Sequence, residues 1–289
     1  MRRVSDAATL RAQLDAWRAA GERIGFVPTM GNIHEGHLRL VDAARQHATR
    51  VVVSVFVNPT QFDRADDFDR YPRTLDADAA ALAGRGVDLL LTPTVDVMYP
   101  DGLDLAAHIE PTHSAQPLEG EFRPGHFRGM ATVVTKLLNL VQPHCAVFGE
   151  KDYQQLAVVR AVVRELLLPV EIIGLPTVRE PDGLAMSSRN QYLTLAERAV
   201  APRLYSALQA AARDGAAPDA PLAVIEAGQT KLLNDAGFRV EYFQFRDAQL
   251  RPPAPADRQR VVLAAAWLGK ARLIDNQPFD VTGGQGAPR

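Results

Sequence analysis

Short runs of apolar residues alternate with longer stretches in which apolar positions recur every three or four residues, and this alternation fills the first 176 residues. The short runs Ile24 to Pro28, Val51 to Val57, Val87 to Leu91, Cys145 to Phe148 and Val170 to Leu175 read as strands. Between them, Leu38 to His47, Arg73 to Leu82, Met130 to Val141 and Gln154 to Leu167 carry the helical spacing. Strands and helices taking turns in this way predict an α/β fold, a doubly wound Rossmann-like parallel sheet covered by helices.

After Arg189 the pattern changes. A helix is expected over Thr194 to Arg213, then a loop rich in Ala, Pro and Asp, then a helix over Leu222 to Ala236. Strand-like runs follow at Val240 to Phe245, Val261 to Ala266 and Arg272 to Ile274, which together suggest a second, smaller α+β domain. The expected partition is 1–178 for the Rossmann-like domain and 179–289 for a smaller lid. Arg251 to Asp257, with its three prolines, reads as a surface loop, and the Gly-rich tail from Gly283 is expected to fray.

Composition narrows the class. The chain of 289 residues is 47% hydrophobic and 23% charged, which is ordinary for a globular protein, and is long enough for two folding units. Its formal net charge is −2 with Lys and Arg scattered, so no basic stripe is present to hold a nucleic acid. The single cysteine, Cys145, excludes an internal disulfide and a thiolate zinc cluster, and is expected to be a small buried hydrophobe. Arg11 and Asp15 interrupt the stretch from Met1 to Trp17 where a signal peptide would be continuously apolar, and no run approaches membrane-spanning length. The cytoplasm is the expected location.

Three segments carry candidate chemistry. The first predicted strand leads into Pro28-Thr29-Met30-Gly31, and His34-Glu35-Gly36-His37 opens the next helix. Two imidazoles then sit at a helix N-terminus beside the carboxyl end of a strand, where an open α/β sheet binds ligands and where unpaired amides and the helix dipole favour an anion. A bare pair of histidines three apart is more often a surface or structural pair than a catalytic one. Met186-Ser187-Ser188-Arg189, at the expected domain boundary, adds two hydroxyls and a guanidinium suited to phosphate oxygens, although an isolated tetrapeptide of this kind is more often a polar linker. Phe148-Gly149-Glu150-Lys151-Asp152 follows another strand, with Lys151 as a mobile positive charge and Asp152 as a helix cap or ribose ligand. Gln155, a turn into that helix, and Gln61, in Asn58-Pro59-Thr60-Gln61-Phe62, offer amides that donate to and accept from a hydroxy acid.

An H-x-G-H element early and a Ser-rich basic loop late resemble the nucleotidyltransferase superfamily, in which ATP is attacked at its α-phosphate. Val27 to His37, Val57 to Phe62, Tyr71 to Thr74, Leu118 to Gly120, Arg123 to Gly129, Phe148 to Asp152 and Met186 to Asn190 carry a closer likeness, as do Ala265 to Gly269 and Arg272 to Asn276. In that order, over nearly the whole chain, they resemble the pantothenate synthetase (pantoate:beta-alanine ligase) family.

The resemblance implies an AMP-forming ligase of coenzyme A biosynthesis. ATP and (R)-pantoate would give pantoyl adenylate and diphosphate, and beta-alanine would then displace AMP to give pantothenate. It implies ATP contacts from Met30, Gly31, Asn32, Ile33, His34, Glu35, Gly36 and His37, from Gly149, Glu150, Lys151 and Asp152, from Val178, and from Met186, Ser187, Ser188 and Arg189. His37, His34, Lys151 and Arg189 would be catalytic, Gln61 and Gln155 would hold pantoate, and Gln61 would also hold beta-alanine. Magnesium would accompany ATP, with Asp78 as its candidate protein ligand, although Ala77 stands where some relatives carry a second acid and Asp78 is otherwise a solvated helix residue. Glu119, Arg123 and His126 fit a catalytic role or a loop at a subunit contact about equally. His47, His108, His113 and His144 read as surface residues. A homodimer is implied, and neither nucleic acid nor membrane is expected as a partner. The rival readings are another adenylate-forming or nucleotidyl-transferring enzyme of the superfamily, with a different acid or a nucleotide as acceptor, and an ATP-binding regulator without turnover; a tRNA synthetase is disfavoured by size and charge.

Overall fold

The computed structural model describes residues 1–62 and 65–282; the Gly-rich tail from Gly283 lies outside them. Six strands form one parallel sheet: β1 (Arg2–Val4), β2 (Ile24–Thr29), β3 (Arg50–Val55), β4 (Leu89–Leu91), β5 (Cys145–Gly149) and β6 (Glu171–Leu175). Their order across the sheet is β1-β4-β3-β2-β5-β6. The chain moves outward from β2 through β3 to β4, then returns to place β5 on the other side of β2. The β2/β5 boundary is therefore the topological switch point, at whose carboxyl end an open α/β sheet has its crevice.

Both faces of this sheet are covered, as its apolar strands require. Ile24, Phe26, Val52, Leu89, Leu91, Ala146 and Phe148 point into one core with Leu10, Leu14, Met130 and Leu137. The alternate positions Val27, Val51, Val53, Leu90 and Val147 point into the other, against Leu40, Val41 and Leu82. Burying one such Val, Leu or Phe side chain stabilises the fold by about 1.5–3 kcal/mol.

A second compact unit holds Lys151–Tyr153 and the chain from Val178 onward, while Met1–Glu150 and Gln154–Thr177 form the first. In the second unit β7 (Arg239–Asp247), β8 (Gln259–Leu268) and β9 (Ala271–Asp280) make an antiparallel sheet. Val262, Ala264, Ala266 and Leu268, alternate positions on β8, pack with Leu204, Leu208 and Ala211 of the helix Arg203–Asp214.

The structure revises several expected elements. Thr194 to Arg213 is two helices, Leu195–Val200 and Arg203–Asp214. A Thr194–Glu197 capping box starts the first, and Pro202, which has no N–H to give the preceding turn, separates it from the second. The strand expected at Arg272 to Ile274 runs over ten residues to Asp280, paired along its length with β8. Strand β1 and the helix Ala7–Ala19 fall outside the expected elements, although Asp6 caps that helix by accepting the Thr9 N–H at 2.8 Å and Leu10 and Leu14 have helical spacing.

Candidate functional site

The segment Met30 to His37 begins where β2 ends. Thr29 Oγ1 donates to the Ser54 carbonyl at 2.7 Å and accepts the Gly31 N–H at 3.2 Å. Gly31 (φ 86°) and Asn32 (φ 53°) then turn the backbone through the left-handed region. A Cβ on Gly31 would sit 3.0 Å from both Asp78 Oδ2 and Val55 Cγ1, so glycine is required here for space as well as for conformation. Asp78 Oδ2 accepts the Asn32 N–H at 3.0 Å, and Oδ1 accepts the Ile33 N–H at 2.8 Å and the Thr74 hydroxyl at 3.0 Å.

His34 caps the helix Glu35–His47, its Nδ1 accepting the Gly36 N–H at 3.1 Å. His37 Nδ1 accepts the His34 N–H at 3.4 Å, and the two rings lie 4.1 Å apart, tilted by 37°. With Nδ1 turned to the backbone in both rings, the neutral imidazole carries its proton on Nε2. This changes the expectation that unpaired amides would greet an anion. The N–H groups of Asn32, Ile33, His34, Gly36 and His37 all have partners within the segment or on Asp78. An anion here would be met by the imidazole Nε2–H donors and the helix dipole. The Glu35 carboxylate is ion-paired through Oε1 to Arg39 at 3.0 Å and to Arg85.

Asp78 is not the solvated helix residue that the sequence allowed: it is 3% exposed and fully engaged by the Met30–His37 segment. Nor does it fit a metal. Both of its oxygens already accept hydrogen bonds, from the Asn32 and Ile33 N–H groups and the Thr74 hydroxyl, which leaves little of the carboxylate for a hydrated cation.

Gln61 ends the 3₁₀ turn Pro59–Gln61 and is 8% exposed. The turn is fixed by Asn58, wholly buried, whose Oδ1 accepts from the Tyr99 hydroxyl at 2.8 Å and the Thr60 hydroxyl at 3.1 Å, and whose Nδ2 donates to the Gly129 carbonyl at 3.3 Å. Burial raises the Tyr99 hydroxyl above its ordinary pKa, keeping it a donor. The Gln61 carbonyl accepts from His126 Nδ1 at 3.0 Å and from Arg123 Nη2 at 3.3 Å. Since a carbonyl only accepts, His126 carries its proton on Nδ1, and Nε2 takes the Arg123 Nη1 at 3.3 Å. Glu119 stands 3.6 Å from that guanidinium. The motif Arg123 to Gly129 thus clamps the Gln61 backbone. Gln61, His126, Gly125 and His108 border a cavity of about 200 Å³.

Gln155 is half-buried on the helix Tyr153–Glu165. Its neighbour Gln154, which sequence reasoning passed over, is 3% exposed and ties down the loop before Glu119. It accepts the Glu119 N–H at 3.0 Å and donates to the Ser114 and Pro117 carbonyls at 2.9 and 2.6 Å. Gly149 ends β5 beside the Thr29 end of β2, and Glu150 follows it in a 3₁₀ turn.

The second unit carries the remaining candidates. Ser187 caps the 3₁₀ turn Ser188–Tyr192 by accepting the Arg189 N–H at 3.2 Å. The Val178 carbonyl is taken by the Met186 N–H at 3.0 Å, which closes the hairpin bearing Met186 to Arg189. Beneath this loop Arg179 lies 3.4 Å from the Tyr205 ring centroid and grips the buried Asp275 through two bonds of 2.6 and 2.9 Å. Asn276 Nδ2 donates to the Lys151 carbonyl at 3.0 Å, and Lys151 Nζ lies 4.0 Å from Asp152.

Of the histidines taken for surface residues, His47, His108 and His113 are exposed, but His144 is half-buried and its Nδ1 accepts the Ile24 N–H at 2.9 Å, where it splices β2 to the turn before β5. Cys145 is buried, and burial raises its thiol pKa, as befits a core residue. Among the described residues no helix is long and apolar enough to cross a membrane.

Residues 2–278 match the family model described as Pantoate-beta-alanine ligase. The pantothenate synthetase of Aeromonas hydrophila is 52% identical over 275 residues, covering 95% of this chain and 96% of that protein. The crystal structure of pantothenate synthetase from Thermus thermophilus superposes with a TM-score of 0.88 at 46% identity, covering 96% of this chain and 99% of that one. The pantoate-beta-alanine ligase of Francisella tularensis, complexed with beta-gamma ATP and beta-alanine, superposes with a TM-score of 0.80 at 35% identity over 96% and 97% of the two chains. With the β2/β5 crevice and its paired imidazoles already in place, this agreement over almost the full length leaves one assignment: the chain belongs to the pantoate-beta-alanine ligase family.

Proposed function

We propose that this protein joins (R)-pantoate to beta-alanine, driven by ATP, in two steps. In the first, a pantoate carboxylate oxygen bonds to the α-phosphorus of ATP, the bond to the bridging oxygen breaks, and diphosphate leaves with the electron pair, giving pantoyl adenylate. In the second, the uncharged amine of beta-alanine bonds to the acyl carbon, AMP leaves with its oxygen, and the nitrogen sheds its extra proton to give pantothenate. Supporting this reading, the Francisella relative is described in complex with beta-gamma ATP and beta-alanine.

The observation that carries it is the orientation of His34 and His37, whose Nδ1 atoms are spent on the backbone. Their Nε2–H groups are then donors suited to the charge that grows on the α-phosphate oxygens and the leaving diphosphate, where fixed donors lower a barrier most. In this reading Met30 to His37, Gly149 to Asp152, Val178 and Met186 to Arg189 bind ATP, with Lys151 and Arg189 acting alongside the histidines. Gln61 and Gln155 hold pantoate and Gln61 also meets beta-alanine, its clamped backbone fixing where the amide can reach. In-line positioning of the carboxylate supplies the rest of the acceleration, and no covalent enzyme intermediate is involved. Magnesium enters as part of the nucleotide substrate, held by phosphate oxygens. A cytoplasmic homodimer, with no nucleic acid or membrane partner, completes the proposal on the family resemblance.

The test is diphosphate release by the purified protein given ATP and magnesium with pantoate alone, with pantoate plus beta-alanine, and with other hydroxy acids and amines. Sustained release confined to pantoate plus beta-alanine, and lost in His37→Ala, is the expected result. Tight ATP binding with no turnover on any pair would instead make the protein a nucleotide-binding regulator.

A further inference from the structure

We infer that Asp78 is a positioning residue, which sets the catalytic imidazoles by holding the backbone of the loop that carries them, and that it is not a ligand of magnesium. The inference rests on the phosphate-binding role proposed for Met30 to His37.

The geometry is specific. Asp78 lies on the helix Leu75–Gly84, far in sequence from the loop, yet its two oxygens divide consecutive amides between them, Asn32 on Oδ2 and Ile33 on Oδ1. A carboxylate suits this, because it has an acceptor on each side and no donor to oppose an N–H. The loop is built to admit it. Gly31 has no side chain to stand in its way, and Asn32 accepts a left-handed conformation that few residues take readily. Thr74 donates to Oδ1, so the carboxylate is itself held from behind. One residue after Ile33, His34 begins the helix and starts the chain of contacts that orients both rings. A displaced Ile33 amide would therefore move His34, and through it His37. With 3% exposure and its oxygens committed to three donors, Asp78 is poorly placed to take a hydrated cation as well.

The decisive variant is Asp78→Asn in the full-length protein. It keeps the shape but turns an amide N–H₂ toward one of the two backbone donors. Loss of one charge-assisted bond and creation of a donor–donor contact is expected to raise KM for ATP or lower kcat by about tenfold or more. Hydrogen exchange at the Asn32 and Ile33 amides should speed up while that of β3 and β5 is unchanged. The free magnesium concentration for half-maximal rate, and KM for beta-alanine, should stay as in the wild type. Thr74→Val, which leaves the carboxylate in place, should give the same signature at about two- to threefold and keeps the test available if Asp78→Asn folds poorly. A magnesium requirement shifted upward in Asp78→Asn, with the rate regained at high magnesium, would overturn the inference in favour of a metal ligand. Unchanged exchange at Asn32 and Ile33 in both variants would overturn it as well. His37→Ala separates this from its foundation: if that variant keeps wild-type turnover, the phosphate-loop reading has failed, whereas a dead His37→Ala beside a normal Asp78→Asn removes the positioning role alone.

Discussion

His37 Nδ1 accepts the backbone N–H of His34, the residue whose own Nδ1 caps the same helix at Gly36. Each ring is thus held by the segment it belongs to, and the two imidazoles are set against each other 4.1 Å apart. Placing two cationic rings this close would be unfavourable, whereas two neutral rings that each present an Nε2–H can serve one polyanion together. The spacing H-x-G-H therefore does two jobs: it caps a helix and it fixes a tautomer.

From this follows a test of which nitrogen matters. The amide of His37→Gln reaches about as far as Nε2, while that of His37→Asn reaches only as far as Nδ1. If His37 acts by donating from Nε2, His37→Asn should lose about 10²–10³ in kcat, and His37→Gln should retain about tenfold more than His37→Asn. Single-turnover formation of pantoyl adenylate measures this without interference from the second step. Better retention in His37→Asn than in His37→Gln would mean that the Nδ1 contact to the backbone, and not donation to substrate, is what the residue provides.

The Gln61 clamp makes a second prediction. His126→Ala removes a donor to a buried carbonyl and loosens the turn that carries Gln61, at a cost of about 1–3 kcal/mol to that local arrangement. Because the clamp holds the turn that carries Gln61, KM for pantoate should rise about tenfold while KM for ATP holds. Steady-state kinetics varying each substrate in turn will show the split, and an ATP effect of equal size would place His126 at the nucleotide instead.

Much of this arrangement could be read from the chain, and the exceptions share a cause. The strands of the parallel sheet were legible because residues such as Val51 to Val53 and Leu89 to Leu91 are apolar without interruption, the mark of burial on both faces. The histidine segment was legible because its position after β2 follows from that order. Asp78 was misread because a carboxylate on an Ala-rich helix looks solvated, and its partners Asn32 and Ile33 are some 45 residues away with no local trace in the sequence. Gln154 and Asn58 were missed for the same reason, since a polar side chain buried to satisfy distant backbone reads no differently from an exposed one. The break at Pro202 was visible locally, but the helical spacing on either side concealed it.

Gly129 offers a prediction about stability rather than chemistry. A Cβ there would lie 2.1 Å from the Thr60 carbonyl oxygen, so Gly129→Ala must push the Pro59–Gln61 turn away from the helix His126–Val141. Overpacking of this kind costs about 1–3 kcal/mol or somewhat more. At about 2–4 °C per kcal/mol for a chain of this size class, a thermal melt should fall by several degrees. Pantoate KM should rise together with the fall, because Gln61 rides on the displaced turn. A melt unchanged from the wild type would show that the turn can move freely, and the rigidity ascribed to the clamp would have to be abandoned.

The Asp182–Arg198 pair gives a prediction with a definite sign. The side-chain hydrogen bond from Arg198, at 2.5 Å, holds the Asp182 carboxyl below its ordinary value of 3.8. A carboxylate with a depressed folded-state pKa releases its proton more readily in the native protein than in the unfolded chain. Its stabilising contribution is accordingly complete above the unfolded value near 3.8 and is lost as pH falls through the depressed folded one. Both side chains are well exposed, at 43% and 34%, so solvent and salt screen the pair and the effect is small. Asp182→Asn should therefore melt slightly below the wild type at neutral pH, and the gap should close in strong acid and in molar salt. Chemical denaturation of both proteins across that pH range measures it; a gap that stayed constant from neutral pH into strong acid would show that the carboxylate charge is not what Asp182 contributes.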